Sequence, residues 1–215
     1  MLNISTPFAY YIGSNQLNSD FTELRKDPRT VWVSDQKSYN PDYTKDLTTE
    51  EYHEMFFRVL ESYPALKAEI TECFNWFLNQ LYGQVEGKIV TSWINTLEDG
   101  DRIGLHRHTN CFYSGILYFG EHYNEDSTQL CLVNPLQHTL YNHIPKYYYG
   151  SKHNKTQDNI YLKPFTGALY FFPSNVFHEA GIHKGANRSS LAFNCVIDSN
   201  IWGNDSSQIA KWNQS

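Results

Sequence analysis

The sequence predicts an α+β chain, helices first and then a run of strands that closes as a jelly roll. Two observations carry this. Apolar residues recur at helical spacing between Thr48 and Tyr82, and from Lys88 onward short runs rich in β-branched and aromatic residues alternate with turn-formers. A third observation sets the scale: 215 residues, 40% hydrophobic and 16% aromatic, suffice for one domain with a sizeable core and exclude disorder as the main state. Residues 1–215 are therefore read as a single domain. Residues 1–87 form a lead-in and helical scaffold, 88–200 a strand-rich core with a long insertion at 134–167, and 201–215 a tail.

The first 45 residues are expected to be irregular, apart from a short strand at Thr30-Val-Trp-Val-Ser34. Thr48-Thr-Glu-Glu51 has capping-box spacing, and Tyr52, Phe56, Val59 and Leu60 follow on one helical face. Pro64 breaks that run and can open the next helix, which carries Leu66, Ile70, Phe74, Phe77 and Leu81 on one face and ends at Gly83. Strands are expected at Lys88–Thr96, Phe112–Phe119, Gln129–Val133, Ala168–Phe172 and Ser190–Ile197. The polar 134–167 segment, with Tyr141, Tyr147, Tyr148 and Tyr149, has the length of a lid or binding loop.

Charge and composition exclude several classes of function. Seventeen basic against 23 acidic residues, a net charge of −6, provide no electrostatic footprint for nucleic acid or an anionic membrane. No apolar run approaches the roughly 20 residues of a membrane span, and MLNISTPFAYYIG lacks the pattern of a signal peptide. The four cysteines (Cys73, Cys111, Cys131, Cys195) form no CxxC pair and are expected to be reduced thiols in a cytoplasmic protein. Nine histidines stand against them, and neutral imidazole is the commonest metal ligand.

Two groups of histidines matter. His106-Arg-His108 precedes a strand, and alternation puts residues two apart on one face; His178 follows another strand. Three imidazoles converging from two strands make a facial metal site with open positions, suited to ferrous iron and dioxygen. Arg188, ten residues beyond His178, opens a core strand, where a buried guanidinium needs an anion. Its planar fork suits a carboxylate, and Ser190 shares its face. His53, His122, His138, His143 and His153 are read as ordinary solvated residues, and His183 as a loop residue at the mouth of the site.

The ordered set Trp93-Ile-Asn95, His106-x-His108, Ser114-Gly-Ile-Leu-Tyr118, Phe172-Pro-Ser174, His178 and Arg188-x-Ser190-x-x-Phe-Asn194 resembles the iron(II)/2-oxoglutarate-dependent oxygenases. Within them it is similar to a subgroup of small bacterial and phage members with a His-x-His…His set. The resemblance spans roughly Ile89 to Val196. It implies a double-stranded β-helix with iron in its mouth and 2-oxoglutarate chelating that iron. By the same resemblance His106 and His178 are ligands, and Arg188 and Ser190, with Tyr118, hold the distal carboxylate. Trp93, Asn95, Ser114, Asn194 and His183 become candidates to lie beside the metal or substrate. The partners implied are O2 and a small molecule or an amino-acid or protein side chain, hydroxylated at an unactivated carbon with release of succinate and CO2.

Position 108 departs from the best-known members, which place Asp or Glu there. Glu98, Asp99, Asp101 and Glu121 lack the spacing to substitute, so the ligand set reads as His106, His108 and His178. Two other readings stay open. Gly100 with His106-x-His108, and Gly167 with Pro173 and His178, also match much of a cupin signature, which allows a three-histidine thiol dioxygenase that needs no 2-oxoglutarate. A barrel without turnover, acting as a binding module, is the other. The cupin reading does not explain Arg188-x-Ser190.

Overall fold

A computed structural model describes residues 11–30, 48–133 and 159–198. Chain order runs β1 (Gly13–Gln16), α1 (Thr22–Arg25), α2 (Thr49–Phe56), a 3-10 turn (Val59–Ser62) and α3 (Pro64–Tyr82). Eight strands follow: β2 (Gly87–Leu97), β3 (Ile103–His106), β4 (Tyr113–Tyr118), β5 (Leu130–Val133), β6 (Asn159–Leu162), β7 (Ala168–Pro173), β8 (His178–Ala180) and β9 (Arg188–Ile197). Residues 31–34, most of the 134–167 insertion and the 201–215 tail lie outside the described residues, as do Tyr141, Tyr147, Tyr148, Tyr149, His138, His143 and His153.

Helix α2 starts on the expected capping box: the Glu51 N–H donates to Thr48 Oγ1 at 3.2 Å, and the Thr48 N–H donates to the Glu51 carboxylate at 2.8 Å. It stops at Phe56, however, so Val59 and Leu60 are not on its face but in the 3-10 turn. The cause is tertiary. Ser92 on β2 donates its N–H to the Phe57 carbonyl at 2.8 Å and accepts the Leu60 N–H on its hydroxyl at 2.9 Å, capturing backbone groups that a helix would need. Pro64 opens α3 at its first turn, and Gly83 closes it with φ of +83°, a conformation that costs other residues a Cβ clash. Ile70, Phe74, Phe77 and Leu78 form its buried stripe.

The strands form two antiparallel sheets, one in the order β1-β7-β4-β9-β2 and one in the order β3-β8-β5-β6. From β2 to β9 the chain passes back and forth between them. The larger sheet is covered on one face by the helices, where Leu117, Leu169, Phe171, Leu191 and Phe193 join Phe74, Phe77 and Leu78 in one apolar core. Its other face looks toward the smaller sheet, and Ile116, Tyr118, Tyr170 and Phe172 meet Leu130, Leu132 and Leu162 there. Gly115 is required by the first core, since a Cβ would lie 2.2 Å from the Phe193 ring.

One irregularity decides what faces the second core. The β2–β9 register shifts between Ile89 and Thr91. Before the shift Gly87 and Ile89 face α3, and after it Ser92 and Ile94 do. A one-residue bulge switches every later side chain to the opposite face. Thr91, Trp93 and Asn95 thereby point between the sheets.

The lead-in is more ordered than its composition suggests. Strand β1 has no β-branched or aromatic residue, yet it pairs with β7 from Gly13↔Phe171 to Gln16↔Ala168. Leu17, Phe21 and Leu24 then enter the helix-side core. Further on, Arg29 pairs with the Asp27 carboxylate, which also accepts the Tyr63 hydroxyl at 2.8 Å, tying the segment to the start of α3. Thr30 makes an isolated bridge with Ile94; the rest of the expected strand lies outside the described residues.

Candidate active site

His106 ends β3 and is the cross-strand partner of His178, the first residue of β8. The sequence puts the pair just before a strand and His178 just after one; instead His106 and His178 lie on short strands of the smaller sheet, β3 and β8, and His108 lies past the end of β3. A hydrogen bond from its backbone N–H to the Ser174 carbonyl at 2.9 Å brings it back. The three rings converge, with centroids 4.2 Å apart for His106 and His178, 5.2 Å for His106 and His108, and 5.1 Å for His108 and His178. One nitrogen from each lies within 4.8 Å of the others, and this is the metal-competent cluster among the described residues. Asp99 and Glu121 are engaged elsewhere, Asp99 by the Gly185 N–H and Glu121 by Arg25.

Each ring has its Nδ1 occupied. His106 Nδ1 is 2.8 Å from the Gly104 carbonyl, His178 Nδ1 is 2.9 Å from the Val176 carbonyl, and His108 Nδ1 is 2.6 Å from Asn194 Oδ1. Carbonyl and amide oxygens only accept, so the proton sits on Nδ1 and Nε2 presents its lone pair. Burial reinforces this. It pulls His178 down to about 3, with the neighbouring His106 adding to the effect, and it lowers His108 against the opposing bond to Asn194. Neutral imidazoles are what a cation requires.

A second polar group lies along β9. Asn194, Ser190 and Arg188 share the face that looks between the sheets, and Asn95 stands beside Ser190 in register. Arg188 is 1% exposed. Its Nη2 donates to the Tyr118 hydroxyl at 2.7 Å, while Nε and Nη1, and the hydroxyl of Ser190, are buried without a hydrogen-bond partner. Burial holds the Tyr118 phenol above its ordinary range despite Arg188, so the tyrosine stays neutral and leaves the guanidinium charge uncompensated. No ion pair to Arg188 exists among the described residues. A buried cation in that state costs on the order of several kcal/mol unless an anion arrives. The donor set, two guanidinium N–H groups and a hydroxyl, matches a carboxylate.

Residues 91–194 match the model of a protein family described as "Putative 2OG-Fe(II) oxygenase". The match covers a little under half of the chain and makes it similar to the iron(II)/2-oxoglutarate oxygenase superfamily. The cofactors of the superfamily are ferrous iron and 2-oxoglutarate. Among solved structures, the chain is similar to an oxidoreductase of the 2OG-Fe(II) oxygenase family from Burkholderia pseudomallei, with 16% identity, a TM-score of 0.46, and coverage of 63% of this chain and 57% of that one. A Pseudomonas putida prolyl-4-hydroxylase is similar with 19% identity, a TM-score of 0.42, and 62% and 65% coverage. HygX from Streptomyces hygroscopicus, crystallised with nickel and 2-oxoglutarate, gives 7% identity, a TM-score of 0.47, and 66% and 70% coverage. The chain thus spans less than two thirds of the first two structures. A comparison with curated proteins gives no match.

The other expected site residues divide. Trp93 stands beside the centre, its ring 5.7 Å from that of His108 and 5.8 Å from that of Phe57. Ser114 and Asn194 both contact His108. His183 is corrected: it is fully buried rather than at a mouth, with Nδ1 taking the Thr128 N–H and Nε2 bonded to the Ala186 carbonyl. Both nitrogens are spent on backbone, so it pins two turns and is not placed to touch substrate. His53 and His122 are exposed, as expected. The sequence provided no signal for Phe57, or for the Gly104 and Val176 carbonyls that orient two of the rings.

Proposed function

We propose that this chain is an iron(II)- and 2-oxoglutarate-dependent oxygenase that hydroxylates an unactivated carbon and releases succinate and CO2. His106, His108 and His178 would hold the metal; Arg188, Ser190 and Tyr118 would hold the distal carboxylate of 2-oxoglutarate. The observation that carries the reading is the buried Arg188 with two free N–H groups beside the free Ser190 hydroxyl. We read the two sheets, with the chain alternating between them, as the halves of a double-stranded β-helix.

Bound together, the metal and 2-oxoglutarate supply the oxidation, in which decarboxylation of the 2-oxo acid is coupled to insertion of oxygen into a C–H bond. The chain's own residues do the rest. Three neutral imidazoles, each tethered at Nδ1, present Nε2 atoms on one side and leave the other coordination positions open. Arg188 and Ser190 fix one end of the cosubstrate, so its 2-oxo acid end is delivered in a single orientation. Tyr118, neutral and buried, steers one guanidinium edge and keeps water away from it. Trp93 and Phe57 form an aromatic wall on the His108 side, against which the prime substrate, a small molecule or an amino-acid side chain, would lie.

Succinate formation from 2-oxoglutarate by iron-loaded protein in air is the test, first alone and then against a panel of metabolites, amino acids and peptides. Slow succinate formation that a panel member accelerates supports the reading. No succinate under any condition, together with a metal spectrum that a small thiol perturbs and 2-oxoglutarate does not, replaces it with the three-histidine thiol dioxygenase.

A further inference from the structure

We infer that Asn194 is a positioning residue that makes His108 usable as the third ligand. The inference rests on the reading of His106, His108 and His178 as metal ligands, and goes beyond it by saying what replaces the carboxylate usual at position 108. His106 and His178 are each oriented by the carbonyl two residues before them, Gly104 and Val176. Any sequence supplies a carbonyl there. His108 is oriented instead by side chains: Asn194 Oδ1 at 2.6 Å and Ser114 Oγ at 2.9 Å from its Nδ1.

The difference has a chemical consequence. A carboxylate ligand has equivalent oxygens and needs no tautomer, whereas an imidazole coordinates through Nε2 only if Nδ1 carries the proton. The Asn194 amide oxygen can only accept, so it enforces that tautomer. The amide is itself held. Ser114 Oγ lies 3.1 Å from Asn194 Oδ1 and 3.0 Å from Ser174 Oγ, and the Cys111 thiol reaches Ser174 Oγ at 3.0 Å. Strands β4 and β9 and the Ser174 turn are thus tied to one imidazole. A neutral amide, unlike an Asp or Glu partner, adds no negative charge, so the third ligand stays a neutral imidazole.

Cobalt(II) titration of the metal-free protein, followed by visible d–d absorption without 2-oxoglutarate, tests this independently of turnover. Asn194→Ala is expected to weaken cobalt binding by about 10- to 100-fold, approaching His108→Ala, with an unchanged far-ultraviolet dichroism spectrum. Asn194→Asp, the same size and still an acceptor, is expected to keep binding within a few-fold and to shift the absorption band, because a carboxylate polarises the imidazole. Wild-type affinity in Asn194→Ala overturns the inference, as does an unshifted band in Asn194→Asp or a loss there as large as in Asn194→Ala; the Asp variant decides the matter if the Ala variant does not fold. Wild-type cobalt affinity in His108→Ala also overturns it while leaving a two-histidine oxygenase standing. Conversely, the expected cobalt pattern with no response to 2-oxoglutarate preserves this inference and removes the proposed function.

Discussion

The two ends of the inner face of β9 are built on opposite principles. At the Asn194 end the groups around His108 are bonded to one another: the amide holds His108, and Ser114, Ser174 and Cys111 hold the amide, while the Thr91 hydroxyl across from Asn194 is buried without a partner. At the Arg188 end, two guanidinium N–H groups and a hydroxyl are buried with none. Satisfied networks rigidify, and unsatisfied ones store an unfavourable desolvation that a ligand relieves. The difference teaches which part of the site is finished by folding and which part waits for an anion. A metal site needs its ligands fixed beforehand; a cosubstrate pocket needs donors that nothing else has taken.

Removing a ligand breaks the comparison most severely. His178→Ala takes away the most buried imidazole of the three and is expected to abolish iron binding, measured by metal analysis after desalting, while His108→Asp retains it. At the other end, Arg188→Ala should leave iron binding intact and weaken 2-oxoglutarate at least about 100-fold, the loss of a charge-assisted pair of bonds. Arg188→Met sharpens the point. It removes a buried charge with no counter-ion, so the ligand-free protein is expected to be as stable as wild type or more so, by up to about 2 kcal/mol in denaturant melts.

Acid provides a smaller, graded test of the finished end. Folded His178 titrates at about 3 and folded His108 below its ordinary value, whereas both take up protons near 6.5 once unfolded. Below that pH the unfolded chain binds more protons than the folded one, so the contribution is complete above 6.5 and shrinks as the pH falls toward 3. The melting temperature of chelator-treated protein should drop between about pH 7 and 5, and His178→Asn should flatten that slope. The smallest effect expected is that of Ser190→Ala, a few-fold loss in 2-oxoglutarate affinity for one neutral hydrogen bond.

The legible parts of this molecule were those where local chemistry and tertiary structure agree. Capping at Thr48, the stripe on α3, and the five expected strands all appear, within a residue or two at their ends. The failures have physical causes. Strand β1 exists because the edge of β7 offers unpaired backbone, which leaves no trace in Gly13-Ser-Asn-Gln16. Helix α2 ends early because Ser92, distant in sequence, takes its successor's hydrogen bonds. The β2 bulge decides that Trp93 and Asn95 face inward, and periodicity cannot reveal a skipped residue. Spacing singled out His106, His108, His178, Arg188 and Ser190 as candidates, but not the use of His183 as a clamp between turns or of Asn194 as a tether. Those depend on which atoms end up within 3 Å, a property of the closed fold.

The central claim is that the histidine cluster and Arg188 are one site, bridged by a single molecule. The most direct measurement is the visible charge-transfer band on anaerobic addition of 2-oxo acids to iron-loaded protein. The account expects 2-oxoglutarate to raise the band at low concentration in wild type and only at much higher concentration in Arg188→Ala. It also expects 2-oxobutyrate, which lacks the distal carboxylate, to be weak and equal in both proteins. Identical 2-oxoglutarate titrations in wild type and Arg188→Ala would contradict it.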